Sequence, residues 1–378
     1  MHQIKKMKVA IVENNLVIGG IQKLAVHQLQ LLDRSRFDLS LITLTQSPHI
    51  GDFYDMVPAD VPVHRLQFKN FGTFSQWVAL WRVLKSIKPD LVKSSGYFSN
   101  VIVRILAIFL GYKVVTAEHN TNIERTFLQK MVSKILDPFT CTIVVDSQMV
   151  RDHLSKLDGI SPDRYTVVYN AVDLEAIESS KKRYLPERNM LREELGITQN
   201  DVVFLSVARL VHQKNHELML NAFAKAYEKR KSLILVIVGD GGLKGALKKQ
   251  ADDLGISSRV SFMGERKDVH RFNALSDFTW LTSRHEGFCI AAMEGLAFGA
   301  PLIATRVAGV SEYLKDGING FFTSDDPEDI AETLVRCIDL TPEEYQVMKK
   351  EGEKTALEYG LDRYKDTFER MFARCVSK

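Results

Sequence analysis

Two glutamates, Glu286 and Glu294, stand eight positions apart in the stretch S-R-H-E-G-F-C-I-A-A-M-E-G-L-A-F-G-A-P. Their carboxylates could accept hydrogen bonds from the neutral hydroxyls of a sugar and a ribose. The apolar run 278–281 predicts a buried strand, and the good helix formers over 289–298 predict a helix that ends before Gly299. The stretch is therefore predicted to be a strand, a short turn and a helix N-terminus, whose free backbone N–H groups suit phosphate oxygens. Together these features suit a nucleotide-diphosphate sugar.

The same two glutamates could instead be solvated helix side chains, or the carboxylate pair of a sugar hydrolase. A retaining hydrolase needs its two carboxyl groups ~5–5.5 Å apart. Eight helical residues rise about 12 Å, so the spacing disfavours a hydrolase.

Two cations, Arg209 and Lys214, come soon after the predicted strand 202–207 and just before a helix predicted from residue 216. Fixed cations at that point could neutralise a diphosphate and the charge that grows on a leaving phosphate. They could also be ordinary surface cations. Arg209 and Lys214 are therefore candidate catalytic residues for transfer of a group from a diphosphate.

Glycines follow two further predicted strands. Gly19 and Gly20 come after strand 8–13 and lead into a helix, where glycine permits positive φ or close backbone approach, although a plain strand–helix turn has the same pattern. Gly239 and Gly241 belong to the stretch V-G-D-G-G-L-K-G. Its G-x-G-x-x-x-G spacing departs from the dinucleotide fingerprint, and the acidic partner, Glu265, comes late, so an NAD site remains only as an alternative.

These residues lie at the ends of short apolar runs that alternate with helical patterns along the whole chain. Such alternation predicts doubly wound parallel sheets of the α/β class, whose ligands lie at the carboxyl ends of the strands. Two sets in sequence predict two Rossmann-like domains, at residues 1–177 and 178–360, followed by an amphipathic helix over 361–376. The predicted strands are residues 8–13, 38–44, 91–94, 113–117, 141–145, 202–207, 233–238, 260–263, 278–281 and 302–304, and the clearest predicted helices are 22–32, 74–86, 216–229 and 244–254.

Composition limits the class of protein. The 378 residues are 45% apolar and 26% charged, as in a soluble enzyme of two domains, and a net charge of +3 gives no indication of nucleic acid as a partner.

The four cysteines are scattered with no C-x-x-C pair, which predicts free thiols in a reducing cytoplasm and neither a zinc site nor a disulfide framework. The apolar run 9–12 ends too early for a signal peptide. The run 101–110 is too short to span a membrane and is predicted to be a buried helix.

One segment, residues 125–136, has the spacing of an amphipathic helix. Arg125, Lys130 and Lys134 alternate with six apolar residues, and the net positive charge of the chain falls within its first 180 residues. This pattern is typical of a helix that lies on an anionic membrane surface. A helix with core-facing apolar residues and a solvated polar face has the same pattern, so both interpretations stay open.

The E-x7-E stretch, with E-G-F at its start and E-G-L-A-F-G-A-P at its end, closely resembles the retaining GT-B glycosyltransferases of family 4. The resemblance implies a GT-B fold, in which two Rossmann-like domains face a central cleft and the last helix, 361–378, packs back on the first domain. The N-terminal domain would bind the acceptor and the C-terminal domain the nucleotide sugar. Two departures are Cys289, where the family usually has Pro or Gly, and R-V-A-G at 306–309, where it commonly has an acidic residue and Gly-Gly.

The resemblance also implies roles for individual side chains. Glu286 would contact the donor sugar and Glu294 the ribose hydroxyls, while Arg209 and Lys214 would contact the phosphates. The backbone sites implied are the first glycine loop with Gly19 and Gly20, the nucleotide-pocket glycines Gly239 and Gly241, the base-reading loop that contains Arg266, and the turn amides of Gly287, Phe288, Cys289 and Ile290.

A histidine, His119, directly follows the predicted strand 113–117. A lone histidine at such a place is more often a structural hydrogen-bonding group. The resemblance implies instead that His119 contacts the donor sugar near the reacting carbon, with Glu118 and Asn120 as candidates to face the acceptor.

By this resemblance the chain is expected to be a retaining hexosyltransferase that moves a sugar from a UDP-, GDP- or similar nucleotide sugar to a glycan or lipid-linked acceptor. Neither a metal nor a bound cofactor is expected, and the pathway would be polysaccharide or cell-envelope glycan biosynthesis. The expected location is the cytoplasm, at the inner face of the membrane if segment 125–136 makes a peripheral contact. A nucleotide-sugar epimerase of the same fold and a catalytically silent GT-B binding protein remain alternatives.

Overall fold

The computed structural model describes residues 6–17, 19–45, 52–69, 73–119 and 125–377. The chain forms two compact α/β units, one made of Met1–Ala171 with Leu361–Lys378 and the other of Val172–Gly360. The boundary predicted from the sequence lies slightly later, at residue 177.

A parallel sheet of seven strands is the centre of the first unit, and five helices join or follow its strands. The strands are β1 (Met7–Glu13), β2 (Phe37–Thr43), β3 (Val63–Arg65), β4 (Leu91–Ser95), β5 (Lys113–Glu118), β6 (Thr142–Val145) and β7 (Tyr165–Val167), and the helices are α1 (Gly20–Leu31), α2 (Phe74–Ile87), α3 (Tyr97–Leu110), α4 (Phe127–Leu136) and α5 (Gln148–Asp158). The strand order is β3-β2-β1-β4-β5-β6-β7. Helices α2, α3, α4 and α5 contact their neighbours in that order, as right-handed crossovers on one face of a sheet require. The inner strands are buried on both faces, which explains their continuous apolar runs.

A parallel sheet of six strands is the centre of the second unit. The strands are β8 (Val202–Val207), β9 (Leu233–Val238), β10 (Val260–Gly264), β11 (Phe278–Leu281), β12 (Leu302–Thr305) and β13 (Gly320–Thr323), in the order β10-β9-β8-β11-β12-β13. Successive residues of β8 point to opposite cores, Phe204 with Leu235 and Trp280 on one face, Val203 with Val236 on the other. The helices are α6 (Leu174–Tyr184), α7 (Arg188–Glu194), α8 (His216–Lys229), α9 (Lys244–Asp253), α10 (Val269–Leu275), α11 (Ile290–Phe298), α12 (Pro327–Ile338) and α13 (Pro342–Leu357).

The last helix, α14 (Leu361–Val376), is part of the first unit, where it packs against α1 and β4. Its apolar stripe is buried, and the ring of Phe372 meets that of Phe37 at 6.2 Å between centroids. The side-chain amide of Gln28 donates a 2.7 Å hydrogen bond to the hydroxyl of Tyr364. The amphipathic pattern of residues 361–376 is therefore explained by packing against the first sheet and its helices.

A disulfide joins Cys375 on α14 to Cys141, just before β6, with 5.7 Å between the two Cα atoms. The prediction that all four cysteines are free thiols is wrong for this pair, whereas Cys289 and Cys337 are free. The two bonded residues are 234 positions apart and meet only because α14 returns to the first unit. Their spacing in the sequence carries no sign of this.

None of the described helices combines the length and the apolar character needed to cross a membrane. Helix α3 contains the apolar run 101–110, which the sequence analysis predicts to be buried. The structure buries Ile102, Val103 and Leu106 but exposes Ile108 and Phe109. The prediction is wrong for these two residues, because only one side of α3 packs on the sheet.

Candidate functional site

The strand order of the second sheet changes direction between the neighbouring strands β8 and β11. Open α/β sheets bind ligands outside the carboxyl ends of the strands at such a point. The segment that follows β8 carries Arg209 and Lys214, and the one that follows β11 carries Glu286. The fold therefore brings both predicted cations and the first glutamate of the E-x7-E stretch to one edge of the sheet.

The turn between β11 and α11 contains residues 282–289. Cys289, the last of them, has a left-handed φ of 65°, and no side chain caps the helix that begins at Ile290. The backbone N–H groups of the first helical turn are thus not bonded within the helix, as the sequence predicts. The thiol of Cys289 stays protonated at neutral pH, because burial and the nearby Glu286 carboxylate raise its pKa to about 12.

Two residues that the sequence analysis did not single out fix the shape of this turn. The hydroxyl of Tyr313 donates a 2.8 Å hydrogen bond to the carbonyl of Phe288. A Cβ atom on Gly309 would lie 1.7 Å from the carbonyl oxygen of Gly287, so only glycine fits at that position. The predicted turn amides therefore rest on the segment that follows β12.

Lys214 and Glu286 form an ion pair at this edge, with side chains 15% and 8% exposed. The Lys214 ammonium donates to the Oε1 atom of Glu286, and the hydroxyl of Ser283 donates to the same oxygen at 2.6 Å. Burial lowers the pKa of Lys214, but the Glu286 carboxylate more than offsets it, so the net pKa lies above the ordinary value. The site thus holds a permanently charged ammonium beside an oriented carboxylate.

The segment that carries Lys214 is tied to the turn by side-chain and backbone hydrogen bonds. The hydroxyl of Thr282 donates to the carbonyls of Lys214 and Asn215 at 3.1 and 3.0 Å, and the side chain of Gln213 donates to the carbonyl of His285 at 3.0 Å. These bonds restrain the backbone position of Lys214 relative to the turn after β11. We infer a rigid site, in which the cation needs little reorganisation to meet an anionic ligand.

Arg209 is exposed, and its charge is close enough to that of Lys214 to lower the pKa of the lysine. The backbone around Arg209 packs on the glycine loop after β9. A Cβ atom on Gly239 would lie 2.0 Å from the carbonyl oxygen of Ala208, and one on Gly241 would lie 2.4 Å from that of Leu210. Glycine is required at both positions by this packing, and contact of either with a nucleotide stays a prediction.

Glu294 lies in the second turn of α11, and its carboxylate is 3.8 Å from the Nε2 atom of His270 on α10. The other ring nitrogen of His270 shares a 2.8 Å hydrogen bond with the hydroxyl of Ser180. His270 is a further neighbour of the site that the sequence analysis missed, because no motif surrounds it.

Arg266 follows β10, and its guanidinium is engaged within the unit. It donates two 2.7 Å hydrogen bonds to the carboxylate of Asp268 and lies 5.5 Å from the ring of Phe272. The role of this segment in reading the base stays a prediction.

In the first unit, α1 begins at Gly20, and Gly19 immediately precedes it with φ of 178° and ψ of 155°. This is extended backbone that any residue adopts, so of the two possibilities given for glycine here, positive φ does not apply to Gly19. The N-terminus of α1 has no side-chain cap, in agreement with a helix end able to meet an anion.

His119 directly follows β5, and its Nδ1 atom lies 3.8 Å from the carboxylate of Asp146, which directly follows β6. Among the described residues, neither ring nitrogen of His119 has a hydrogen-bond partner, although both are buried. The Glu118 carboxylate is paired with Arg125 at 3.1 Å, and Asn120 lies outside the described residues. Among the described residues, Asp146 is thus the carboxylate close to the His119 ring, without a hydrogen bond between them.

A buried ion pair at the carboxyl ends of β1 and β4 was also missed. The ammonium of Lys93 donates to Glu13 at 2.8 Å and to the hydroxyl of Ser95 at 2.8 Å. The one available signal was a lysine inside the otherwise apolar strand L-V-K-S-S. Such a pair needs its partners in place, since an unpaired buried charge is costly.

Both units are parallel α/β sheets of the Rossmann-like class, and the second holds a cation–carboxylate pair beside a helix N-terminus at its switch point. The family model described as "Glycosyl transferases group 1" matches residues 187–355, and that described as "Glycosyltransferase Family 4" matches residues 18–176. The chain belongs to this family of glycosyltransferases, and the resemblance found in the sequence is confirmed.

One relative and two solved structures illustrate the likeness. The UDP-Gal:alpha-D-GlcNAc-diphosphoundecaprenol alpha-1,3-galactosyltransferase of Escherichia coli is 28% identical over 349 residues, which cover 88% of each chain. The crystal structure of HepE from Anabaena in complex with UDP and glucose matches with a TM-score of 0.82 at 19% identity, covering 97% of this chain and 100% of that one. A glycosyltransferase of Rickettsia africae matches with a TM-score of 0.84 at 17% identity over 99% of both chains. The two structures show that the GT-B fold is shared.

Proposed function

We propose that this glycosyltransferase is a retaining enzyme that transfers a hexose from a nucleotide-diphosphate sugar to a glycan or lipid-linked acceptor. The observation that carries the proposal is the Lys214–Glu286 pair beside the N-terminus of α11, with Glu294 one turn further along the helix. A diphosphate on the helix end would meet the ammonium, and the two carboxylates would meet sugar and ribose hydroxyls.

The donor is proposed to be a uridine diphosphate sugar. The name of the E. coli relative specifies UDP-galactose, and the HepE crystals hold UDP with glucose or UDP-glucose. The same relative is named for an acceptor in which N-acetylglucosamine is carried on diphosphoundecaprenol. This supports a lipid-linked acceptor and a place in cell-envelope or polysaccharide biosynthesis, at the cytoplasmic side of a membrane.

The chemistry that we propose is substitution on one face of the anomeric carbon. The bond from that carbon to the β-phosphate oxygen breaks, and a bond to the acceptor hydroxyl oxygen forms on the same side. The proton of the acceptor passes to the departing phosphate oxygen. Lys214, Arg209 and the amides at residues 287–290 stabilise the phosphate, while Glu286 orients the sugar.

The function is tested by measuring sugar transfer from UDP- and GDP-hexoses to short-chain analogues of a lipid-diphosphate sugar. We expect UDP release that depends on the acceptor, with an α-linked product from an α-linked donor in the NMR spectrum. A β-linked product would overturn retention. Conversion of the donor to its epimer without any acceptor would identify the alternative enzyme class, and binding of UDP without turnover would identify a silent binding protein.

Catalysis is expected to proceed without a divalent metal. Arg209 and Lys214 provide cationic charge at the proposed phosphate position, so the leaving group can be neutralised by the chain itself. We therefore expect the same transfer rate in excess EDTA as in added magnesium. Loss of activity in EDTA that returns with Mg²⁺ or Mn²⁺ would show that this prediction is wrong.

A further inference from the structure

Helices α3 and α4 of the first unit expose a set of large apolar side chains, which we call the α3–α4 face. The two helices contact each other, and the short turn after α4 contacts α3. Phe109 is 75% exposed and Phe127 is 82% exposed. Exposed apolar residues of this size in one area mark an interaction surface. The α3–α4 face consists of Phe98, Ile108, Phe109, Phe127, Leu128, Met131, Ile135 and Phe139.

Helix α4 turns most of its large apolar side chains toward solvent, the reverse of an ordinary surface helix. Its polar Ser133 is buried, whereas Phe127, Leu128, Met131 and Ile135 are exposed on one side. The interpretation of this segment as a core-facing apolar helix with a solvated polar face is therefore wrong. The sequence pattern alone could not show which side faces outward.

Polar groups, together with the buried side chain of Leu136, hold α4 in this orientation. The buried guanidinium of Arg125, just before the helix, is paired with Asp158 and with Glu118. It also donates a 3.4 Å hydrogen bond to the buried hydroxyl of Ser133. Thr126 and Gln129 form a capping box at the helix start. The outward position of the apolar side chains is thus built into the unit.

The charge on the α3–α4 face has one sign. The two helices contain no acidic residue, and the cations that they present outward are the half-buried Lys130 and the exposed Lys134, because Arg104 is buried. Asp137, directly after α4, is paired with Arg164 at 3.0 Å. A second copy of this chain in a symmetric dimer would place the same lysines opposite each other with no carboxylate from these helices between them. An anionic surface complements both the charge and the apolar side chains.

We propose that the α3–α4 face docks the enzyme on an anionic lipid bilayer, with Phe109 and Phe127 inserted among the acyl chains and Lys130 and Lys134 at the phosphate level. The biological purpose of this docking rests on the proposed function: a lipid-linked acceptor lies in such a bilayer, and docking would bring the enzyme to it. The docking itself needs neither donor nor acceptor.

The test is co-sedimentation of the full chain, without substrates, with vesicles of phosphatidylglycerol and phosphatidylcholine or of phosphatidylcholine alone. We expect binding to the anionic vesicles that weakens at high salt. The double variant Phe109→Ser/Phe127→Ser should lose about tenfold or more in partitioning per phenylalanine. Each of Lys130→Gln and Lys134→Gln should lose about fivefold.

Matched controls lie on α13 in the other unit. Leu357→Ser changes an apolar residue that is 68% exposed, and Lys350→Gln with Lys354→Gln repeats the four-residue spacing of Lys130 and Lys134. These controls should bind vesicles like the unmodified chain, and all variants should keep its affinity for UDP and its thermal unfolding midpoint. Equal pelleting with and without vesicles would overturn the proposal. So would a concentration-dependent dimer that the phenylalanine changes abolish. Absence of sugar transfer with intact vesicle binding would contradict the proposed function alone.

Discussion

Replacing Lys214 with alanine is expected to slow sugar transfer by about 10²–10³-fold, as removal of one preorganised donor to a developing oxyanion does in other enzymes. Lys214 is nearly buried, keeps its charge at any working pH and is fixed by the hydrogen bonds from Thr282 to the local backbone. The substitution should lower mainly kcat, because the negative charge on the phosphate grows as its bond to the sugar breaks. Steady-state kinetics at saturating donor measures it.

Loss of the ammonium also leaves the Glu286 carboxylate without its cation, which could destabilise the fold. The double variant Lys214→Met/Glu286→Gln removes both charges and separates the two effects. It should recover the thermal unfolding midpoint but not the rate. Lys225→Ala, which breaks an exposed pair with Glu328 on the same unit, is the matched control and should change neither quantity. If Lys214→Ala keeps the unmodified kcat and KM, Lys214 has no role in catalysis.

Replacing Glu294 with alanine is expected to weaken UDP binding by roughly 10- to 150-fold, the equivalent of the 1.5–3 kcal/mol typical of hydrogen bonds to a charged group. The carboxylate lies about one turn beyond the helix end proposed for the diphosphate, and the ribose is the next group of the donor after the diphosphate. Calorimetric titration with UDP provides the measurement.

The ribose contact can be isolated with a second ligand. Dideoxyuridine diphosphate lacks the hydroxyls that Glu294 is proposed to hold. It should therefore bind the unmodified enzyme more weakly than UDP does. The Glu294→Ala variant should bind the two ligands with similar affinity. Glu343→Ala, an exposed glutamate in the first turn of α13, should discriminate between the two ligands like the unmodified enzyme. Undiminished discrimination in Glu294→Ala would show that the ribose is held elsewhere.

The buried strands could be predicted closely because burial on both faces leaves continuous apolar runs. Strands β8, β9 and β11 have the predicted limits, and the other predicted strands differ at their ends by one residue or are extended slightly. The strands that were missed, β3, β7 and β13, lie at the edges of the two sheets. Short edge strands such as Val63–Arg65 have exposed positions and no apolar run, so periodicity cannot find them.

The residues of the candidate site also fall into those that a local sequence pattern could predict and those that it could not. Glu286, Lys214 and the helix start at Ile290 could be predicted because each lies in a local motif at a strand end. Ser283 could have been found in the same stretch, but its bond to Glu286 depends on the shape of the turn. Tyr313, Gly309, His270 and Asp146 reach their positions through contacts between distant segments, which no local pattern encodes.

The disulfide shows this limit most clearly. Cys141 and Cys375 lack the close spacing of a local pair, and the absence of such spacing led to the prediction of free thiols. Only the return of α14 to the first unit brings their Cα atoms within reach of a bond. The prediction failed because the deciding contact joins residues 234 positions apart, which no local spacing can reveal.

The return of α14 also sets the order in which the protein can be completed on the ribosome. Residues 172–360, the whole second unit, emerge before the helix that covers α1 and β4 of the first. Throughout that interval the nascent first unit lacks Tyr364, Phe368 and Phe372, and the apolar surface that they bury stays open to solvent. The second unit has all its strands in one continuous segment and can fold first. The N-terminal unit is thus begun first and completed last, when α14 covers this surface.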